Sequence, residues 1–137
     1  MLRKGISNEA YHADPALGRS RASDMLASCP LKVKHAMGQP SPSSPALLNG
    51  SMVHAATLEP EIPLSDYSMC LDVSASAREH PLMRQYLYDA DSKIEHTGFF
   101  EFEGVTCKVR PDLYNTRTGM VLDLKTTQDG SERGFAK

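Results

Sequence analysis

The chain has 137 residues, 40% of them hydrophobic and 23% charged, which suits one modest soluble core. No run approaches the roughly 20 apolar residues that span a bilayer, and Met1-Leu2-Arg3-Lys4-Gly5 leads into polar sequence rather than a secretory signal, so no membrane partner and a cytoplasmic location are expected. Basic and acidic residues number six and three over 1–38, three and ten over 59–103, and six and four over 104–137; with a net charge of −2, only a local basic strip is left for contact with nucleic acid.

The chain opens as a loop followed by helices. Ser20 or Ser23 is placed to cap a helix whose short apolar stripe is Ala22, Met25 and Leu26, and Cys29-Pro30 interrupts it. Pro30 suits the first turn of a second helix over Leu31–Met37. Residues 38–45 hold three prolines and read as a connector. A longer helix follows over Ala46–Leu58; Leu47, Val53 and Leu58 supply its apolar positions, and small Gly50, Ser51, Ala55 and Ala56 suit close packing on a neighbour. It carries His54. Tyr67–Val73 reads as a short strand and Ser76–Ala90 as a helix with Pro81 near its start. Ile94–Phe102, Val105–Tyr114 and Met120–Lys125 are rich in aromatic and β-branched residues; with turns at Glu103-Gly104 and 115–119 they predict a three-stranded antiparallel meander. Asp129 or Ser131 is placed to cap a last short helix. The three cysteines, Cys29, Cys70 and Cys107, are far apart and include no Cys-x-x-Cys pair, so reduced thiols are expected rather than a disulfide framework or a four-thiolate zinc site.

The chemistry concentrates in the meander. Strand side chains two apart share a face, so Asp123 and Lys125 project together while Leu122 and Leu124 point the other way. In the preceding strand Val105, Cys107 and Val109 share one face and Lys108, Arg110 and Asp112 the other. If the hairpin closes symmetrically with Tyr114 opposite Val121, the same register sets Asp112 against Asp123. Opposed β-carbons lie about 4.5–5.5 Å apart, and two carboxylates there need a counter-ion or a proton. Mg²⁺ takes hard oxygen ligands while keeping several waters, and the Lys125 ammonium could orient an attacking water or balance charge on a phosphate. An exposed strand face with a surface salt bridge gives the same letters, so spacing leaves both readings open.

Arg110-Pro111-Asp112 followed by Asp123-Leu124-Lys125-Thr126-Thr127 resembles the Asp and (Asp/Glu)-x-Lys elements of the PD-(D/E)xK nucleases, in their RecB-like form. Upstream, Gly50-Ser51-Met52-Val53-His54-Ala55-Ala56-Thr57-Leu58-Glu59-Pro60 looks like the helix that supplies that family's metal-binding histidine, and Gly5-Ile6-Ser7-Asn8-Glu9-Ala10-Tyr11-His12 resembles the opening of the exonuclease VIII (RecE) nuclease domain. The four matches fall in family order and span nearly the whole chain. The resemblance implies an α/β fold, helices flanking a small mixed, largely antiparallel sheet, forming a single domain over 1–137 with a helical part over 1–60 and a sheet-bearing catalytic part over 61–137. It implies His54, Asp112, Asp123 and the Leu124 carbonyl as ligands of Mg²⁺ or Mn²⁺, Lys125 as the catalytic lysine, and Glu95 as an acid beside the metal, with Glu101 and Glu103 as alternatives.

It also implies a processive exonuclease that degrades duplex DNA ends 5′ to 3′ for phage-type recombination, with an oligomer around DNA and a single-strand annealing protein as partners. Ser20–Pro30 resembles the RecB-like segment whose cysteine in some relatives holds an iron–sulfur cluster; without a downstream cysteine trio, Cys29 is expected to be a buried structural residue. Tyr11, His12, Arg19 and Arg21 either touch phosphates or pack the N-terminal loop on the core. The family's downstream helix with a Gln-x-x-x-Tyr motif and its further strands are not matched here, so an incomplete core is expected. Two other readings follow: a truncated, non-catalytic module that binds DNA ends or a recombination partner, and an unrelated α+β domain that binds neither Mg²⁺ nor Mn²⁺.

Overall fold

A computed structural model describes residues 2–36, 44–59, 61, 63, 70–127, 129 and 131–135. In chain order its elements are β1 (Leu2–Arg3), α1 (Asn8–Ala13), α2 (Arg19–Ala27), α3 (Pro30–Ala36), α4 (Pro45–Leu58), α5 (Leu71–Glu79), α6 (Pro81–Leu87), β2 (Ser92–Ile94), β3 (Thr97–Phe102), β4 (Val105–Val109), β5 (Leu113–Asn115), β6 (Val121–Leu122) and α7 (Glu132–Phe135). The α/β class and the antiparallel pairing are as the sequence predicts, but the strands divide between two three-stranded sheets, β1-β3-β4 and β2-β5-β6. Among the described residues the parallel component is one bridge, Leu17 to Cys107. The chain forms two compact units, Met1–Pro42 with Asp91–Leu122 and Ser43–Ala90 with Asp123–Lys137.

All six strands belong to the first unit, and its spine is one hairpin. Glu103 and Gly104 both take positive φ, 48° and 77°, which gives the two-residue turn whose twist matches that of the flanking strands. Phe102 pairs with Val105 beside the turn and Gly98 with Val109 further down. After an interruption, Ile94 pairs with Leu113 and Ser92 with Asn115. Three residues on each side, 95–97 and 110–112, separate the two ladders, so the register passes unchanged through the break. Pro111 has no amide hydrogen and Glu95 sits at φ 47°, so neither can continue a regular ladder. That is why the long strands expected over Ile94–Phe102 and Val105–Tyr114 each become two. The next turn does follow expectation: the Asn115 side-chain oxygen accepts from the amides of Arg117 and Thr118 at 3.2 and 2.9 Å, and Leu113 and Tyr114 pair with Leu122 and Val121 in the predicted register.

The two faces of β3 and β4 invert the usual apolar-in rule. Leu2, Phe100, Phe102, Val105 and Val109 share one face and are 36–63% exposed, with Cys107 on that face buried, whereas Lys108 on the opposite face is 6% exposed. The Lys108 ammonium donates to the carbonyl of Tyr11 and, at 2.9 Å, to that of Asp14, where α1 ends. Arg21 donates to the carbonyls of His12 and Asp14 at 2.8 and 2.9 Å. Two cations thus satisfy the orphan acceptors and the negative pole of α1, whose other end is capped by Ser7 accepting from the Ala10 amide at 3.1 Å. The Tyr11 ring lies against Lys108 and Arg110, 4.6 and 4.2 Å from its centroid. Burial pulls the Lys108 ammonium below its ordinary pKa, and Arg21 adds to the shift.

Helix α2 begins at Arg19 with Gly18 as its uncapped N-terminus, not at Ser20 or Ser23. Its start is set by the preceding residue: Leu17 donates to Thr106 and accepts from Lys108 at 2.9 Å each, so the chain leaves β4's edge straight into the helix. Cys29, expected to be buried, is exposed, because it joins α2 to α3 outside the core; Cys70 and Cys107 are buried. Residues 38–43 of the expected connector lie outside the described residues.

In the second unit, α4 starts where Ser44 accepts from the Leu47 amide at 3.2 Å with Pro45 in its first turn. It buries Val53, Ala56, Thr57 and Leu58, while Leu47 is exposed. Val53, Ala56 and Cys70 form one apolar cluster with Met52 against it. Of the strand expected over Tyr67–Val73, residues 67–69 lie outside the described residues and 71–73 are helical: Cys70 and Ser74, four apart, are both buried, a helical repeat rather than an alternating one. The single helix expected over Ser76–Ala90 is two. His80 precedes a proline and takes ψ 130°, which ends α5 and starts α6 at Pro81. Arg78 donates to Thr57 and Glu59 carbonyls at 3.4 and 2.7 Å, capping the end of α4. Among the described residues no helix is long and apolar enough to cross a membrane.

Lys108→Met keeps most of the stem's packing but strands the Tyr11 carbonyl and leaves the Asp14 carbonyl with Arg21 alone. It is expected to lower the unfolding free energy by about 2–3 kcal/mol in equilibrium urea titrations, the scale of hydrogen bonds to a charged group. His12 sits below its ordinary 6.5 through partial burial and then through Lys108, Arg110 and Arg21. The unfolded chain therefore binds the proton more tightly, so unfolding free energy rises with pH from the folded-state value up to 6.5. His12→Gln is expected to flatten that rise in urea titrations made on either side of the window.

Candidate active site

Asp112 lies at the break in the hairpin, half-buried and directly after Pro111. Its carbonyl accepts from the Glu95 amide at 3.0 Å, an isolated rung between the two ladders. Glu95 is exposed and takes a left-handed backbone, which turns its side chain out of the regular strand alternation. Of the three acids considered beside Asp112, Glu101 pairs with Thr106 near the hairpin's far end and Glu103 forms its turn, so Glu95 is the one adjacent in the ladder. Arg110 of the Arg-Pro-Asp run is committed elsewhere: it donates to the Thr97 hydroxyl at 2.9 Å and to the Ile6 carbonyl at 2.8 Å.

Asp123, Leu124 and Lys125 belong to the second unit. They were expected to continue a strand, but β6 ends at Leu122. The last pair of the ladder is Leu113 with Leu122. The alternation nevertheless persists: Val121, Asp123 and Lys125 are exposed and Leu122 and Leu124 half-buried. The expected carboxylate and ammonium do stand together, with Lys125 Nζ 2.5 Å from Asp123 Oδ2 and side chains 55% and 58% exposed.

The same unit holds α4 and His54, which is half-buried. A β-carbon placed on Gly50 would lie 3.1 Å from the Thr126 hydroxyl oxygen, so the chain just past Lys125 runs against α4. His54 is one turn beyond Gly50 on the same face, and helical side chains lean back over the preceding turn.

Within the first unit the structure brings together Glu95 with Asp112, and within the second Asp123 with Lys125. Among the described residues no three His, Cys, Asp or Glu side chains form a group able to hold a metal ion. The carboxylates of Asp112 and Asp123 and the Leu124 carbonyl are donor types that suit Mg²⁺ or Mn²⁺, the His54 imidazole is not a typical Mg²⁺ ligand, and the side-chain partner shown for Asp123 is Lys125. Of the two readings offered for Tyr11 and Arg21 the structure shows packing of the N-terminal segment, and the sequence pattern missed their partners Lys108 and Arg110: nothing in periodicity pairs residues 94 and 97 positions apart.

Residues 64–137, just over half of the chain, match a protein family described as "PDDEXK-like domain of unknown function (DUF3799)". The matched segment includes Glu95, Asp112, Asp123 and Lys125; His54 lies before it. A comparison with curated proteins finds no match.

Glycine relieves the left-handed conformation at position 95, so Glu95→Gly is expected to leave stability unchanged or raise it by up to about 1 kcal/mol in urea titrations. A β-branched Glu95→Val at the same position is expected to lower it.

Proposed function

The chain belongs to the PDDEXK-like family DUF3799, a nuclease-type fold, and from that membership we propose that it hydrolyses phosphodiester bonds in DNA. The observation that carries this reading is the matched segment itself: Asp112 follows Pro111, and Asp123 and Lys125 close at 2.5 Å within an Asp-Leu-Lys run. The finer reading, a processive 5′ to 3′ exonuclease on duplex ends that serves phage-type recombination with a single-strand annealing partner, rests on the likeness of Gly5–His12 and Gly50–Pro60 to the exonuclease VIII domain.

In this reading Asp112, Asp123, His54 and the Leu124 carbonyl would hold Mg²⁺ or Mn²⁺. When bound, such an ion polarises the phosphate and acidifies a water. Hydrolysis joins the oxygen of water to phosphorus, breaks the bond from phosphorus to the leaving sugar oxygen, and returns a proton to that oxygen. Lys125 contributes a cation beside the reacting group, which orients the water and balances charge building on the phosphate oxygens. Glu95, adjacent to Asp112 in the ladder, supplies a further carboxylate.

A linear duplex incubated with the protein and Mg²⁺ is expected to release acid-soluble nucleotides, from 5′-labelled ends first, while a closed circle persists. Asp123→Asn and Lys125→Ala are each expected to slow release by about a hundredfold or more, the scale of losing a group that stabilises transition-state charge. A protein that retards duplex ends in a gel and releases nothing would replace the hydrolase with an end-binding module.

A further inference from the structure

We propose that Gly50 is a positioning residue for the Asp123–Lys125 segment: its missing side chain sets how closely that segment lies along α4. This rests on the hydrolase reading for its catalytic meaning, although the contact stands without it.

Gly50 lies in the interior of the fourteen-residue helix α4, where glycine costs stability relative to alanine. Its presence there is unexplained by the helix itself. A β-carbon at this position meets one atom, the Thr126 hydroxyl oxygen at 3.1 Å, a separation tighter than ordinary van der Waals contact. Thr126 follows Lys125 directly and lies beyond the last ladder pair, Leu113 with Leu122. Among the described residues strand pairing ends at Leu122, so the depth of the segment bearing Asp123 and Lys125 is set by contacts other than a ladder. The approach at Gly50 is one of them. The same turn of α4 is the one over which the His54 side chain leans, so a displacement of Thr126 there moves the Asp123–Lys125 pair relative to the imidazole. The small residue is thus needed by the neighbouring segment rather than by the helix.

The side chain at Gly50 and the hydroxyl at Thr126 can be exchanged against each other, which separates positioning from folding. Gly50→Ala improves helix propensity, so its melting temperature is expected to equal or exceed that of the unaltered protein. Its amide resonances over Asp123–Thr126 are expected to shift, and its duplex-end digestion to fall by about tenfold, the scale set by small misplacements of reacting groups. Gly50→Ala combined with Thr126→Ala removes the obstructing oxygen and is expected to restore both, measured against Thr126→Ala alone. Unmoved resonances in Gly50→Ala would overturn the proposal, as would a lowered melting temperature with no recovery in the double variant. If the unaltered protein digests no DNA, the hydrolase reading fails, and the resonances still decide the role of Gly50.

Discussion

A buried ammonium must find acceptors, and Lys108 finds them in the main chain at the end of α1, 94 and 97 residues earlier. Most of the first unit's arrangement follows from that one requirement. The Tyr11 carbonyl would otherwise be an orphan acceptor at a helix end, that of Asp14 would keep only Arg21, and Lys108 would be a desolvated charge. Each solves the other's problem. The lysine stem passes Gly18, where a β-carbon would come within 3.5 Å of it, so the same contact also fixes the entry to α2. Arg21 and Arg110 extend the arrangement to His12 and Ile6, and Lys108 on the polar face of β4 is buried. On the other face Phe100, Phe102 and Val105 are left exposed and Cys107 is buried.

The second constraint is Pro111. A hairpin that ran unbroken from Ser92 to Asn115 would bury or expose its acids strictly by alternation. Removing one amide donor and putting Glu95 into a left-handed conformation opens the ladder on both strands at once, without adding a residue to either. Strained positions of this kind cost stability and persist where surrounding pairings over-determine them. Here the pairs Ile94–Leu113 and Gly98–Val109 clamp the break from both sides, and the one rung between them joins Glu95 to Asp112. The proline of the Arg-Pro-Asp run is therefore what frees Asp112 from a regular strand.

What could be read from the letters was local. The turn at 115–119 determines the β5–β6 register, so the pairing of Tyr114 with Val121 was legible, as were α4 and the small residues along it. Glu103-Gly104 announced the tight turn. The division into two sheets was not read from the letters, because the strand pattern resumes on both sides of residues 95 and 110–112 and the break takes the left-handed backbone of Glu95 as well as the missing proline donor. The orientation of β4 was hidden for a different reason. Alternation tells which residues share a face and says nothing of which face is covered when the covering element arrives from the other end of the chain. Asp123 and Lys125 were placed together by strand periodicity, and they stand together although the ladder has already ended.

That last point bears on what the pair can do. An ion pair with both side chains more than half exposed is held weakly, by at most about 1 kcal/mol, because water solvates the separated charges nearly as well. Asp123 is thus paired without being locked, and exchanging its partner for another cation costs little. Precision must come from the backbone instead, which beyond Leu122 lacks a ladder among the described residues. A carboxylate that is easily released from its lysine, on a segment that approaches α4 closely at Gly50, combines an available charge with a defined position. Those two properties are what phosphodiester hydrolysis asks of a carboxylate, and a rigid, fully buried ion pair would supply only the second.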